Sequence, residues 1–239
     1  TGGLAPITGA KTLVFASISG SVGESSAALT FSAENFSATA ASGSVYVNDT
    51  FAGDVTIIDP NSPAILCCPT IANANTAKVD YFVQATNAAG TSLQTAGGVR
   101  VGGENVAIVS TAGSVGKSGA TFATTANNLT LNAAVNVFGD DSNGATGTKL
   151  LTQSVFTFNR ENSAGLNYTL TEAGAGGIQL ATNVSATGVN GQVNLTATLG
   201  DIVNATGSTT VITTGASGAS GSVNLLANGS VGIGIGCAP

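Results

Sequence analysis

The chain repeats itself, and the spacing of the copies limits what it can fold into. Ile18-Ser19-Gly20-Ser21-Val22-Gly23, a polar turn and Leu29-Thr30-Phe31-Ser32-Ala33-Glu34-Asn35-Phe36 return 93 positions later. The second copy reads Thr111-Ala112-Gly113-Ser114-Val115-Gly116, a similar turn and Phe122-Ala123-Thr124-Thr125-Ala126-Asn127-Asn128-Leu129. Gly-Ser-Val-Gly occurs a third time at 229–232. Gly191-Gln192-Val193-Asn194-Leu195-Thr196-Ala197 returns after 30 positions as Gly221-Ser222-Val223-Asn224-Leu225-Leu226-Ala227. Each of those copies precedes a glycine and a short apolar piece, Gly200-Asp201-Ile202 and Gly229-Ser230-Val231. The repeated unit reads as a strand, a glycine-marked corner and another strand. Offsets as unequal as 93 and 30 do not suit a propeller, whose blades recur at about 40 to 50 residues. They suit a parallel β-solenoid, where strands of successive coils pair in register while turns of variable length bulge outward.

Between the glycines, apolar and β-branched residues alternate with polar ones. This predicts extended chain at 12–18, 29–40, 43–49, 54–59, 78–86, 98–102, 105–111, 120–125, 128–138, 149–158, 166–172, 177–185, 191–198, 208–214 and 221–227. Apolar positions nowhere recur at a spacing of 3.6 over a helix length, so almost no helix is expected. Coils of roughly 20–25 residues would number about ten, and a strand spacing of ~4.8 Å gives a rod on the order of 50 Å long. Residues 1–10 read as an extended arm or linker, 11–236 as one solenoid domain and 237–239 as a tail. Pro60, Pro63 and Pro69 cannot donate to a ladder, so 59–76 is expected to leave the coils as a loop, with a compact turn at 140–147. The rival architecture is a pilin-like β-sandwich.

Charged residues are 8% of the chain, against about 25% in an ordinary soluble domain, and His, Met and Trp are absent. The 43% hydrophobic content recurs at short regular intervals, which separates the chain from disordered sequences. Six basic residues scattered over a net charge of −6 form no cluster able to neutralise a phosphate backbone, so nucleic acid is not expected as a partner. No apolar run approaches the ~18 residues of a membrane span. The chain opens without Met or a basic segment, as a processed product or an excerpt of a longer chain would.

Gly-Ser-Val-Gly followed by Leu-x-Phe-x-Ala-x-Asn-Phe, and Gly-x-Val-Asn-Leu-x-Ala before Gly-Asp-Ile or Gly-Ser-Val, resemble the degenerate repeats of filamentous-haemagglutinin-type large exoproteins and autotransporter passengers. The resemblance covers about residues 11–58 and 98–236. It implies a right-handed parallel β-helix displayed outside the cell for adhesion or biofilm contact. The Pro- and Cys-bearing segment 59–76 departs from that pattern, as does the short total length.

Catalytic chemistry is poorly represented. Without His, a Ser nucleophile would need a Lys base, and none of Lys11, Lys78, Lys117 or Lys149 lies in a Ser-x-x-Lys setting. Apart from Asp140-Asp141 the acids are spread singly, while Arg100 and Arg160 read as solvated surface residues. A β-helix carbohydrate-active enzyme, built on paired carboxylates or a carboxylate and an Arg, is the enzymatic alternative. Asp140-Asp141-Ser142-Asn143-Gly144 superficially resembles a calcium loop but lacks the closing Glu, and reads as an Asx-rich turn. No cofactor is expected, although structural calcium between coils or subunits stays open. The glycine-rich pieces at 97–103 and 174–177 lack the Gly-Lys-Ser/Thr ending of a nucleotide loop and read as corners.

Cys67, Cys68 and Cys237 are disulfide candidates. Adjacent cysteines rarely bridge, so Cys237 would pair with Cys67 or Cys68, within a chain or across a subunit boundary; buried free thiols are the alternative. Eight Asn-x-Ser/Thr sequons mark candidate glycosylation sites at Asn35, Asn48, Asn128, Asn167, Asn183, Asn194, Asn204 and Asn228, with ladder and turn asparagines as the structural alternative. The expected function is an extracellular or cell-surface structural or adhesive protein, a subunit or segment of a fibre. Its partners would be other copies of itself, by strand-edge pairing, together with surface glycans or host and neighbouring cells. A pilus-like subunit joined by donor-strand complementation is the second reading.

Overall fold

The computed structural model describes residues 6–61, 71, 74–150, 153–155, 158–160, 162–215 and 220–232. These are all-β, and no helix occurs among them. The first coil holds β1 (Thr12–Ser17) and β2 (Leu29–Phe31), the second β3 (Asn35–Ala40) and β4 (Val45–Asp49). The third holds β5 (Val55–Ile57) and β6 (Asp80–Ala85), the fourth β7 (Ser92–Thr95) and β8 (Val101–Ser110), the fifth β9 (Ser114–Val115) and β10 (Phe122–Ala133). In the sixth, β11 (Asn136–Asp141) and β12 (Thr148–Leu150) are separated from β15 (Asn162–Ala164) by a hairpin of β13 (Gln153–Val155) and β14 (Phe158–Arg160). The seventh holds β16 (Asn167–Glu172), β17 (Ile178–Leu180) and β18 (Val184–Ala186). The eighth holds β19 (Gln192–Ala197), β20 (Ile202–Asn204) and β21 (Ile212–Thr214), and the ninth β22 (Ser222–Ala227) and β23 (Val231–Gly232).

Apart from the antiparallel hairpin, these strands form one 21-stranded sheet whose ladders are all parallel, each joining a strand to its counterpart in an adjacent coil. The described residues therefore form a parallel β-solenoid of nine coils, one fewer than expected, and on the order of 40 Å long at ~4.8 Å per coil. The sandwich alternative is corrected here: two antiparallel sheets face to face would not give strands paired coil on coil.

Alternation puts one side of each strand into the axis. Val45, Tyr81, Val106, Leu129, Leu150 and Leu180 follow one another in register and are fully buried. Removing one such side chain from water contributes about 1.5–3 kcal/mol. Outward positions carry polar ladders instead. Asn105 Nδ2 donates to Asp80 Oδ1 (2.8 Å), Asn128 Nδ2 to Asn105 Oδ1 (2.8 Å) and Asn167 Nδ2 to Asn136 Oδ1 (3.1 Å).

The 30-residue repeat is one coil, with Val193 on Val223, Asn194 on Asn224 and Leu195 on Leu225. The 93-residue repeat is a different device from the corner expected of it. Val22 pairs with Val45 and Leu29 with Val47, so seven positions in one coil cover two in the next. Val115 with Val137 and Phe122 with Gly139 do the same. The surplus leaves the strand as a tiny antiparallel loop, closed by reciprocal backbone bonds between Glu24 and Ala27 and between Lys117 and Ala120. Gly23 (φ +70°) and Gly116 (φ +66°) open the two loops, and a Cβ there would lie 2.2 Å from Tyr46 O and 2.3 Å from Phe138 O. At 229–232 the same letters lack this geometry: Val231 and Gly232 simply pair with Ile202 and Val203.

Other predicted boundaries shift for local reasons. Segment 29–40 breaks between β2 and β3, where Asp49 Oδ1 accepts the Ala33 N–H (3.2 Å). Segments 98–102 and 105–111 fuse into β8, and 149–158 is divided between the end of β12 and the hairpin, whose β14 lies against β10. Of the excursion expected at 59–76, residues 62–70, 72 and 73 lie outside the described residues. Asn61 Oδ1 accepts the Ile71 N–H (2.7 Å) while Asn61 Nδ2 donates to Ile71 O (3.0 Å). The buried, left-handed Asn75 (φ 57°) then returns the chain to the coils, its Nδ2 donating to Ile58 O (2.8 Å) and its Oδ1 accepting the Ala38 N–H (3.3 Å).

Candidate functional site

Alternation along β11 sends its two aspartates to opposite sides. Asp140 points outward, with Oδ2 3.0 Å from Arg100 Nη2, and Arg100 Nη1 donates to Thr124 O (2.8 Å). Arg100, expected to be solvated, is thus half-buried and ion-paired. Asp141 points into the axis, where Thr124 Oγ1 donates to its Oδ1 (2.5 Å). Its register neighbour in the next coil is Glu172, also fully buried. Glu172 Oε1 accepts the N–H groups of Gly174 and of Asn143, the latter at 3.3 Å. Neither Asp141 Oδ2 nor Glu172 Oε2 has a hydrogen-bond partner. Desolvation, reinforced by Glu172 and opposed by the Thr124 bond, pushes the Asp141 carboxyl up to about 8.

Asp49 plays a related part in the second coil. Its Oδ1 accepts from Phe51 N (2.9 Å) and Ala33 N (3.2 Å), Oδ2 has no partner, and desolvation outweighs those donors to raise the carboxyl to about 6. Asp49 and Glu172 both end strands and hold the amide two residues on, so they fasten corners. Being fully buried, Asp49, Asp141 and Glu172 offer no oxygen to a polysaccharide.

The turn at 140–147 is bonded to itself and to β10. Asn143 Nδ2 donates to Asn127 Oδ1 (2.6 Å) and Gly147 O (2.8 Å), and Thr146 Oγ1 to Asn143 O (3.1 Å). Among the described residues, no three Cys, Asp or Glu side chains gather as a metal site would require. Two clefts adjoin Arg100. One, of about 520 Å³, is lined by residues including Thr76, Lys78, Arg100 and Thr125 and holds no carboxylate; the other, of about 390 Å³, holds one, Asp59. Neither lining supplies the two carboxylates of a glycosidase.

The ends of the rod differ from its body. Among the described residues β1 is paired on one side only, by β3, and β22, β21 and β23 on one side only, by β19, β18 and β20. Inward-facing side chains there are uncovered: Leu13 and Phe15 are half-buried at one end, and at the other Val223 is 38% exposed with Leu225 and Ala227 half-buried. Tracing register along the row places Leu13 in one column with Leu225 and Phe15 in one column with Ala227.

Cys67, Cys68 and Cys237 lie outside the described residues. Of the sequon asparagines, Asn128, Asn167 and Asn194 donate their amides to ladder neighbours, and Asn48 Oδ1 accepts from Gln84 Nε2 (3.5 Å). Asn183 and Asn204 use their Oδ1 on Val211 N (2.8 Å) and Thr210 Oγ1 (2.5 Å); Asn35 is half-buried and Asn228 exposed. The residues that sequence reasoning missed are Asp49, Asn75, Thr124, Asp141 and Glu172. The available signal was an acid or amide at an inward position of an alternating strand, as in Val-Phe-Gly-Asp-Asp. No family model, curated protein or solved structure matches this chain.

Proposed function

We propose that this chain is an extracellular, non-catalytic structural rod that stacks head to tail into a cell-surface fibre. The observation that carries the reading is the matching pair of uncovered ends. β1 and β22 are six-residue strands at the two ends of one row, each with an open ladder edge and half-covered apolar side chains. A second copy stacked in register would set its Leu13 over Leu225 and its large Phe15 over the small Ala227. A head-to-tail contact of this kind does not close on itself and generates filaments. The cell-surface setting rests on the resemblance to exoprotein repeats. The outer asparagine, threonine and serine ladders, with few charges, suit contact with neutral glycans of neighbouring cells. Donor-strand complementation loses its ground, because it completes a sandwich and this chain stacks coils instead.

Electron microscopy across a concentration series tests the assembly: filaments should grow from rods on the order of 40 Å. Leu13→Lys or Val223→Lys, charging one end each, should leave β-type circular dichroism intact and stop growth. Wild-type rods that stay single at every concentration would sink the reading.

A further inference from the structure

We infer that Asp141 and Glu172 hold a single proton between them, a buried clasp joining the sixth and seventh coils. The geometry leaves little else. The two carboxyls are register neighbours on parallel strands, both on the inward side. Both are fully buried, and each keeps one oxygen without a donor. A proton on one of them satisfies both free oxygens at once, whereas two facing carboxylates would leave both unpaired and repelling. A hard cation would need six or more oxygens. Here one oxygen of each acid is already taken, by Thr124 Oγ1 on Asp141 and by backbone N–H groups on Glu172.

Among the described residues no cation faces the pair. On β10 the inward neighbours are Thr124 and Ala126, and on β19 Ala197. Arg100 and Asp140 lie together on the outer side, Lys149 of β12 occupies an outward position, and Glu104 and Asp201 are exposed. Tyr168 of β16 points inward but donates to Asn162 Oδ1 (2.8 Å). The turns at 142–147 and 173–177 carry no charge.

The folded carboxyl is raised from 3.8 to about 8. Below 3.8 folded and unfolded chains both hold the proton. Between these values only the folded chain does, so stability falls with rising pH, and the fall ends once Asp141 ionises in the folded chain too. Asp49 adds a fall of the same sign that ends near 6, so measurements from pH 6.5 upward leave it out, and comparison with Asp141→Asn, which keeps the three Cys thiols, isolates the pair.

Carbon-13 NMR of the full chain labelled in Asp and Glu carboxyls should show one titration near pH 8 that disappears in Asp141→Asn. The folding equilibrium constant of the wild type, from urea unfolding, should drop about 30-fold between pH 6.5 and 9. Asp141→Asn, whose amide donates in place of the shared proton, should show no such drop, and Glu172→Gln a smaller one, because burial still raises Asp141 after its neighbour's charge is gone. Carboxyls that all titrate below pH 6.5, or equal slopes in wild type and Asp141→Asn, would overturn the inference. So would calcium restoring wild-type stability at pH 9, since the pair would then be a cation site. If neither variant folds, the wild-type NMR titration decides.

Discussion

Gly-x-Val-Asn-Leu-x-Ala is written twice, and the two copies lie on each other in register, yet they experience different surroundings. In the eighth coil Val193, Leu195 and Ala197 are fully buried; in the ninth Val223 is 38% exposed, and Leu225 and Ala227 are only half-covered. Asn194 sits between Thr169 and Asn224 within a ladder, whereas Asn224 ends it. Sequence is nearly constant between the copies, so the difference comes from the neighbour. Each coil is the lid of the one before it, and stability accumulates from nearest-neighbour contacts. The last coil keeps the apolar pattern of an inner one without a lid, which is the pattern expected of a surface that another copy covers.

The sharpest way to break that comparison is to truncate the same leucine in both coils. Leu195→Ala should cost about 2–5 kcal/mol, because the surrounding coils cannot collapse into the cavity. Leu225→Ala in dispersed rods should cost about 1 kcal/mol or less, since water already reaches the site. Urea midpoints of the two variants under dilute conditions measure the gap, and equal losses would mean that the ninth coil is covered in the single rod. A second contrast uses the glycine motif. Gly116→Ala forces a left-handed residue against the Phe138 carbonyl, 2.3 Å from the new methyl, and the backbone conformation alone costs about 1–3 kcal/mol. Gly232→Ala meets nothing closer than Val203 Cγ1 at 3.5 Å and should stay within about 0.5 kcal/mol.

Those glycines also show what the sequence could convey. The coil of 30 was legible, because there the repeat length equals the ladder offset and every residue of 192–197 finds its copy as its partner. The offset of 93 carried a true structural repeat, but whether Gly23 turns a corner or opens a bulge depends on which residues of the next coil it faces. The letters do not encode that. Coil length drifts, as register partners are 23 apart between β8 and β10 and 31 apart between β11 and β16. No fixed offset could therefore bring Asp141 to Glu172 in advance. Read from sequence, Asp140 and Asp141 fall together in a compact turn at 140–147, whereas both lie on β11, whose alternation sends Asp141 inward and Asp140 outward. The return of the chain through Asn75 was hidden too, since an asparagine replacing a glycine in a left-handed turn shows only in its bonds to Ile58 and Ala38.

The smallest effect probes the same two coils through their asparagines. Asn194 accepts from Asn224 Nδ2 (2.7 Å) and donates to Thr169 Oγ1 (3.3 Å), so Asn194→Ala removes two ladder bonds from a half-buried place and should cost about 1 kcal/mol. Asn224→Ala removes one bond at an exposed edge and should cost a few tenths of a kcal/mol in single rods. Assembly should change the second value and leave the first alone. In the head-to-tail register that sets Leu13 over Leu225, Thr12 of the next copy comes to stand over Asn224, where its hydroxyl can take the place that Thr169 has beside Asn194. Asn224→Ala should then raise the concentration needed for filaments although it barely moves the urea midpoint of dispersed rods. If filament growth and single-rod stability respond to Asn224→Ala in the same proportion as to Asn194→Ala, the ninth coil is not the joint.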